Sequence, residues 1–442
     1  EERKASTHPI LPRSKRRGLQ DEDKTRDGNI TIPIYMRFRF AIGSSCLAPC
    51  STVIFAIGII GGFSGSDATD NQRVNAAATT LVSAESAESI HGLRERREES
   101  NAAAKSKTAK ESKAEKRTFT TNLELRNAIG EYLSQGCPNG ANCDYGGAIG
   151  EWDVSRVQDF NDLFIDDPFP FTGAATFNEP INWNTGSATS MRYMFDGATA
   201  FNQPLSFDTS KVTDMFHMFH YAAAFNQPLS FDTAKVTSME SMFYEAATFN
   251  QALSFDTAKV ANMNGMFNFA TAFNQPLSFN TAKVKVMESM FYSAKAFNQP
   301  LSFDTASVTT MTGMFNYATA FNQVLSLDTA KVTSMAGMFY EATAFNQPLS
   351  FDTDSVTTME SMFYRATAFN QPLSFDTAKV ANMAEMFQGA TVFNQNLCSF
   401  GTNWSRDLNV NDIFTATACP DTSDPTSASG PWCHRLSGQC VV

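Results

Sequence analysis

The residues with the clearest capacity for chemistry are aspartates that recur every 24 residues in the sequence Phe-Asp-Thr. A column of carboxylates is a donor set that suits calcium. Asparagine, however, takes the same place at Asn184 and Asn280, and lysine follows most of the aspartates by three residues. An Asx-turn accepts either residue, because it needs only a side-chain oxygen. The pattern therefore favours a turn over a metal site, and no cofactor is expected.

Residues suited to acid–base or nucleophilic catalysis are scarce. The chain has only 5 histidines, and His217 and His220 are substitutions confined to one copy of the repeat. The sequence shows no nucleophile–base pair and no phosphate-binding loop. Its net charge of -11 argues against nucleic acid as the main partner, because phosphate contacts require a basic surface. We therefore expect a protein that is not an enzyme.

Cysteines flank the repeats rather than interrupt them. Zinc sites require tighter Cys-x-x-Cys or His spacing than this sequence offers. Pairs at the two ends of a domain indicate disulfides formed in an oxidising compartment, and three pairings are open for the C-terminal four. The disulfide candidates are Cys137, Cys143, Cys398, Cys419, Cys433 and Cys440.

The repeat itself defines the fold. The pair Phe-Asn recurs every 24 residues from Phe177 to Phe393 without an insertion. A fixed period in this range is typical of a solenoid, in which each unit buries its apolar face against its neighbours. In the copy at 225–248, PLSF and KVTSM alternate like short strands, and ESMFYEA spaces apolar residues like one or two helical turns. Positions that stay apolar in every copy are the predicted core.

The asparagine that follows each repeat phenylalanine is interpreted as structural. A carboxamide in a tight turn can bond the backbone of its own coil and of the next coil, so a ladder is predicted. Its members are Asn202, Asn226, Asn250, Asn274, Asn298, Asn322, Asn346 and Asn370.

Two pairs of positions vary between copies and are predicted to face outward: those between the methionines and those after Met-Phe. The second pair holds one aromatic residue in most coils, and this residue alternates between the two sites along much of the array. If exposed, these side chains form a zigzag stripe suited to contacts with proteins or sugars. The alternative is that one residue of each pair packs as peripheral core. The stripe consists of Tyr221, Tyr244, Phe269, Tyr292, Tyr317, Tyr340 and Tyr364.

The region before the repeats predicts attachment to a membrane. Residues 40–65 carry no charge and are long enough to span a bilayer as a helix. Arg37 and Arg39 precede them, so the positive-inside rule places the repeats outside the cell. A cleaved signal peptide, which would make the protein secreted, is the alternative. A glycosylation sequon at Asn403 is consistent with either location.

Composition divides the chain into six regions. A basic tail, predicted to be disordered and cytoplasmic, precedes the apolar segment, and a low-complexity stalk follows it. An amphipathic helix over 120–136, with Leu123, Leu125, Ile129 and Leu133, is predicted to cap the first coil. The regions are 1–39, 40–65, 66–117, an N-terminal cap with degenerate coils at 118–176, the solenoid at 177–397, and a cysteine-rich cap at 398–442.

One stretch resembles a known family. The sequence YGGAIGEWDVSRVQDFNDLF at 145–164, followed by FN…W…T…M..MF..A, resembles the BspA-like leucine-rich repeat surface proteins. The resemblance spans about 118–400, and it implies an α/β solenoid of the leucine-rich-repeat type with short strands and short helical turns. It also implies display on a cell surface, in a family associated with adhesion and with protein or matrix binding. No catalytic residue is carried over.

The sequence is compatible with three functions. The first is a cell-surface or extracellular recognition and adhesion protein that binds protein or glycan partners through its variable face. The second is a structural wall or matrix protein whose repeats associate with each other. The third is ice binding by the threonine column from Thr209 to Thr377, which a missing second column and the neighbouring aspartates disfavour.

Overall fold

The computed structural model describes residues 117–136, 147–165, 173–434 and 440, all within the compact unit Ser83–Val442. The predicted tail, apolar segment and nearly all of the stalk lie outside the described residues, as do Cys137 and Cys143. Within the described ranges, no helix combines the length and the apolar character that a bilayer crossing requires.

Helix α1, Asn122–Gln135, stands at the start of the stack. The Thr121 hydroxyl accepts a hydrogen bond from the Glu124 N–H, and the Glu124 carboxylate accepts one from the Thr121 N–H. This reciprocal capping box fixes the first turn. Gly136 ends the helix in the left-handed conformation at φ 61°.

The buried face of α1 differs slightly from the predicted one. Leu125 and Ile129 are buried as expected, but Leu123 is 67% exposed, and Tyr132 is buried in its place. The Asn122 side chain donates to two carbonyls of the coil below. The helix therefore covers the first coil both with apolar contacts and with hydrogen bonds. Short 3-10 helices follow at Ile149–Glu151 and Ala174–Thr176.

Phenylalanine rings stacked coil upon coil form the core. The ring centroid of Phe243 lies 5.7 Å from that of Phe267, 24 residues later, and 4.1 Å from that of Phe249, six residues later. The planes of both pairs are within 11° of parallel. Offset stacking is a favoured aromatic geometry, and the same pattern repeats in every coil. The invariant methionines, such as Met239, are fully buried beside the rings. The predicted repeat solenoid is confirmed.

The segment expected to be helical forms a chain of tight turns instead. In the segment 241–246, every second N–H donates to the carbonyl three residues earlier, and the N–H groups between them donate to carbonyls of the next coil. Ser241 and Glu245 have φ values of 50° and 54°, in the left-handed region. Because left-handed residues recur along the segment, successive N–H groups point in different directions. A helix would keep its hydrogen bonds within one coil, whereas these turns join the coils together.

Strands are also shorter than expected. One parallel bridge joins each pair of coils just before the first methionine, as between Ser238 and Asn262. In the PLSF segments of the described coils, only Leu301 and Leu325 form a bridge. On this side the ring centroids of Phe207 and Phe231 lie 6.4 Å apart. The short strands and helical turns expected in each coil are therefore replaced by single bridges and tight turns.

Side chains link the coils along the extended segments. In each step of the asparagine ladder, the Oδ1 atom accepts a hydrogen bond from the N–H of the next asparagine at 2.9–3.0 Å. A glutamine of the next coil donates to the same asparagine, as Gln323 donates to Asn298 Oδ1 at 2.9 Å. These bonds replace the missing strand pairing.

The threonine column supplies a second set of links. Each hydroxyl donates to the backbone carbonyl one coil further on, as Thr233 does to the Asp256 carbonyl at 3.0 Å. The column from Thr209 to Thr377 is at most 2% exposed. Ice binding through these threonines is therefore wrong, because buried hydroxyls cannot order surface water.

A cysteine-rich segment ends the stack. The structure pairs Cys398 with Cys440 and Cys419 with Cys433, which confirms disulfides here and selects one of the three open pairings. A 3-10 helix, Cys398–Asn403, leads into a last irregular coil. Phe414 of that coil lies 6.0 Å from Phe387 and extends the stack of rings. Buried Trp432 then packs against Phe400 and covers the final core face.

Candidate functional site

The predicted stripe is one continuous row of touching rings. Successive centroids from Tyr221 to Tyr364 lie 5.6, 6.0, 5.2, 5.8, 5.4 and 4.4 Å apart. The first five contacts are tilted or edge-on, and only Tyr340 and Tyr364 stack in parallel. Because each ring touches its neighbours in the adjacent coils, the stripe is continuous across seven coils.

The side chains of the stripe are neither fully exposed nor part of the core, the two alternatives that the sequence left open. Tyr221 is 39% exposed, and the other six side chains are half-buried. Each ring therefore packs against its neighbours and still presents part of its surface to solvent. Burial raises the pKa of Tyr244 to about 12 and also raises that of Tyr340. The hydroxyls consequently remain protonated near neutral pH and can donate hydrogen bonds.

The zigzag follows from the backbone. Tyr221, Phe269 and Tyr317 occupy the second of the two variable sites, where φ is 55–56°. The tyrosines between them occupy the first site, and residues such as Glu245 and Ser293 then take the left-handed position. Both sites direct an aromatic side chain toward the same row, so the alternation does not interrupt the stripe.

Packing also explains the alternating Ser and Gly between the methionines. This position is left-handed in every coil from His217 to Glu385. A Cβ added to Gly265 would lie 3.1 Å from Ser241 Oγ, and one added to Gly313 would lie 3.3 Å from Ser289 Oγ. Gly265 and Gly313 thus each follow a serine that leaves little room for a Cβ, whereas Gly337 follows a glycine and Glu385 follows Ser361. The choice of residue at this position, which was predicted to vary freely on the surface, is therefore partly limited by the left-handed backbone. The recurring glycine was the sequence signal for that limit.

The stripe continues toward the N-terminus through residues that sequence reasoning did not assign to it. His220 lies 4.8 Å from Tyr244, His217 lies 4.4 Å from His220, and Tyr193 lies 4.9 Å from His217. Phe216 stacks on His217 at 4.0 Å. Phe216, His217 and His220 cluster in a single coil, within the letters DMFHMFHY, and this clustering was the available signal.

The two histidines have different electrostatic environments. His220 Nδ1 lies 2.6 Å from Asp196 Oδ1, which pairs the imidazole with a carboxylate of the preceding coil. His217 has no such partner for its buried Nδ1. Burial, with a contribution from the neighbouring His220, lowers the pKa of His217 to about 3. His217 is therefore neutral at physiological pH.

An arginine lies at each end of this aromatic row. The Arg192 guanidinium lies over the Phe216 ring at 4.6 Å and pairs with Asp214 at 2.8 Å. The Arg365 guanidinium lies over the Tyr364 ring at 5.1 Å and pairs with Glu341 at 3.3 Å. In both cases one guanidinium is held by a ring and by a carboxylate of a neighbouring coil.

The aspartate column forms Asx-turns. The Oδ1 of each residue accepts the N–H two residues later, as Asp232 accepts from Ala234 at 3.0 Å. Asn280 accepts the same bond at 3.2 Å, so charge is not required. Among the described residues, no group of three or more His, Cys, Asp or Glu side chains is arranged to hold a metal ion.

The sequon at Asn403 lies at the end of the 3-10 helix in the C-terminal cap. Its asparagine and Ser405 are exposed, and Trp404 is half-buried between them. The side chain that would carry a glycan is therefore accessible.

The repeats match a known family. The family model described as "Mycoplasma protein of unknown function, DUF285" matches three successive stretches of the chain, 139–231, 229–327 and 323–423. Together these stretches cover nearly all the stacked coils and part of each cap. No curated protein sequence matches the chain.

Proposed function

The chain belongs to the DUF285 family of repeat proteins, and from that premise we propose that it is a cell-surface or extracellular recognition and adhesion protein. Its partners are proteins or glycans, and they bind along the aromatic stripe. The observation that carries this proposal is the unbroken row of partly exposed rings from Tyr221 to Tyr364.

The energetics of binding favour such a surface. Tyrosine is enriched among the residues that dominate protein interfaces, since a rigid ring buries a large area at a small entropic cost. Each half-buried ring of the stripe is already held by its neighbours, so little side-chain freedom remains to be lost on binding. The same faces and hydroxyls can contact sugar rings.

Four features support a location outside the cytoplasm. The C-terminal cap contains two disulfides, which persist in oxidising compartments. Asn403 is accessible in a glycosylation sequon. The sequence also resembles BspA-like surface proteins, and the uncharged segment 40–65 is suited to anchor or export the chain.

The test compares the full 442-residue chain with a variant in which Tyr244, Tyr292, Tyr340 and Tyr364 become Ser. Both are applied to immobilised glycans and extracellular matrix proteins, and folding is checked by circular dichroism and thermal unfolding. The proposal expects binding by the parent chain and loss of at least about tenfold in affinity for a folded variant, because several contact rings are removed together.

A matched control changes four residues away from the stripe: Asp232, Asp256, Asp304 and Asp352 to Asn. The Asx-turns survive this change, as Asn280 shows, so binding should persist. Binding that the tyrosine changes leave intact would refute the stripe as the recognition surface. Concentration-dependent assembly of the parent chain without any partner, seen by light scattering, would favour the structural matrix role.

A further inference from the structure

The molecule contains two examples of how its aromatic row holds a cation. Arg192 and Arg365 each lie over a ring and pair with a carboxylate one coil away. Both guanidiniums remain partly exposed, with side-chain exposures of 42% and 59%. The arrangement joins a cation–π contact to a charge-assisted hydrogen bond, which arginine can satisfy at once because its fork is planar.

The middle of the stripe has the same rings and carboxylates without the arginines. Glu245 occupies the position of Glu341 four coils earlier, between Tyr221 and Phe269 in the neighbouring coils. Glu240 and Glu288 precede Tyr244 and Tyr292 by four residues in the chain, and they accept hydrogen bonds from neutral Asn and Thr side chains. Among the described residues, no lysine or arginine forms an ion pair with these three glutamates.

Partial burial of Glu245 strengthens its interaction with a cation. Glu245 is half-buried, and desolvation raises its pKa above the ordinary value. A carboxylate that has lost part of its hydration gains more from a new positive partner than an exposed one does. The neighbouring tyrosine rings offer their negative faces to the same cation.

We propose that the middle of the stripe binds an arginine-bearing segment of a partner protein, whose guanidiniums lie on the rings and pair with Glu240, Glu245 and Glu288. This inference rests on the proposed recognition function and names its partner class. Anionic glycans and nucleic acids are excluded by the same carboxylates and by the net charge of -11.

The repeat also sets a spacing for the partner. Glu240 and Glu288 lie two coils apart, and the core rings of successive coils there are 5.7 Å apart. Residues i and i+3 of a polyproline II segment lie on the same face, roughly 9 Å apart. Such a segment with arginine at every third residue therefore presents its guanidiniums on one side at close to the two-coil spacing.

The experiment uses the full chain and a fluorescent synthetic peptide with arginine at every third position, separated by glycine and serine. Analogues carry lysine or neutral citrulline at the same positions, and binding is followed by fluorescence anisotropy. Affinity should fall about fivefold or more with lysine, which lacks the planar fork, and should vanish with citrulline. Equal binding of the citrulline peptide would overturn the proposal.

Two triple variants separate a specific site from general charge attraction. Changing Glu240, Glu245 and Glu288 to Gln keeps the side-chain shapes and should weaken peptide binding at least about tenfold, with a flatter dependence on salt. Changing Asp232, Asp256 and Asp304 to Asn removes the same charge from the Asx-turns and should leave binding nearly unchanged. Equal losses in the two variants would overturn the proposal.

Two further outcomes assign the stripe to another occupant. Binding of a neutral glycan through the tyrosines without binding of the arginine peptide would overturn this inference and leave the recognition function intact. Self-assembly of the chain that the peptide fails to displace, but that the tyrosine changes abolish, would assign the stripe to a second copy and would also overturn it.

Discussion

The asparagine ladder shows how one side chain can replace a strand hydrogen bond. Asn298 Oδ1 accepts the Asn322 N–H at 3.0 Å and the Gln323 side chain at 2.9 Å. Both donors lie in half-buried positions of the next coil. Without the asparagine they would lose their acceptor in a place that water reaches poorly.

Replacing Asn298 with Ala should therefore destabilise the protein by about 1–3 kcal/mol, the usual cost of unsatisfied buried polar groups. The measurement is urea unfolding followed by circular dichroism. Exposed Ser302, whose change to Ala should cost less than about 0.5 kcal/mol, serves as the control. Equal stability of the two variants would contradict a structural role for the ladder.

His217 makes stability depend on pH in a defined direction. Its pKa is about 3 in the folded chain, against about 6.5 when unfolded, so the unfolded state binds more protons between these values. The contribution of His217 to stability is therefore lost progressively as pH falls below about 6.5.

The variant His217→Gly removes this titration and suits the left-handed φ of 56° at that position. The difference in urea midpoint between parent and variant should shift against the parent as pH is lowered from 7 to 5. Parallel curves over this range would contradict the assignment of a neutral, buried imidazole.

Residues that are the same in every repeat were predicted to be buried, and most but not all of them are. The apolar positions, the asparagines and the threonines are buried or hydrogen-bonded as structural residues should be. The serine of Leu-Ser-Phe, however, is identical from Ser206 to Ser374 and is exposed in each coil. Nothing in the described structure explains this invariance, so repetition alone does not separate core from surface.

At the scale of the coil, the alternation of Ser and Gly tests the proposed packing. Gly265 and Gly337 have similar φ values of 57° and 59°, so Ala at either site bears the same backbone strain, about 1–2 kcal/mol. The added Cβ at 265 would also lie 3.1 Å from Ser241 Oγ, whereas the nearest atom at 337 is 3.4 Å away.

Gly265→Ala should consequently lower the thermal midpoint more than Gly337→Ala. Adding Ser241→Gly to the first variant should remove the excess, because it removes the crowded hydroxyl. If the two alanine variants have the same midpoint, crowding between coils does not cause the alternation.

Strands and helical turns were predicted from periodicity, and both are reduced in the structure. Alternating apolar residues in PLSF indicated a strand, yet among the PLSF segments of the described coils only Leu301 and Leu325 form a bridge. Apolar residues in ESMFYEA are spaced three or four apart, which indicated a helix. Successive tight turns produce the same spacing, because they also bury every third or fourth side chain. The spacing of apolar residues indicates which side chains face inward. It does not specify which backbone hydrogen bonds the segment forms.

At the scale of the molecule, the disulfides belong to one end of a stack whose coils contact mainly their neighbours. Changing Cys398 and Cys440 to Ser should cost about 2–4 kcal/mol of stability. In a solenoid the loss should be local, since stability is approximately a sum of nearest-neighbour terms.

Hydrogen exchange measured by mass spectrometry is the appropriate readout. Faster exchange is expected in the last coils and the cap, after about residue 350, with little change near α1. Uniformly faster exchange throughout the described coils would show that the stack unfolds as one unit and would contradict local coupling.

The period and the stack of phenylalanines followed from the sequence, because each repeat restates the same core. The pairing of the four cysteines and the continuity of the stripe did not, since both depend on distances between residues far apart in sequence. The half-burial of Tyr244 or Tyr292 could not be read from one coil either. It arises only when the ring of the next coil is in place.

Footprinting with hydroxyl radicals tests the central claim most directly. The full chain is labelled free and while bound to the matrix protein or glycan that retains it, and mass spectrometry locates the protected side chains. Protection concentrated on Tyr221, Tyr244, Tyr292, Tyr317, Tyr340 and Tyr364 is the result that the aromatic stripe predicts. Protection of the extended Pro-Leu-Ser-Phe-Asp side, with the tyrosines labelled as fully as in the free chain, would contradict it.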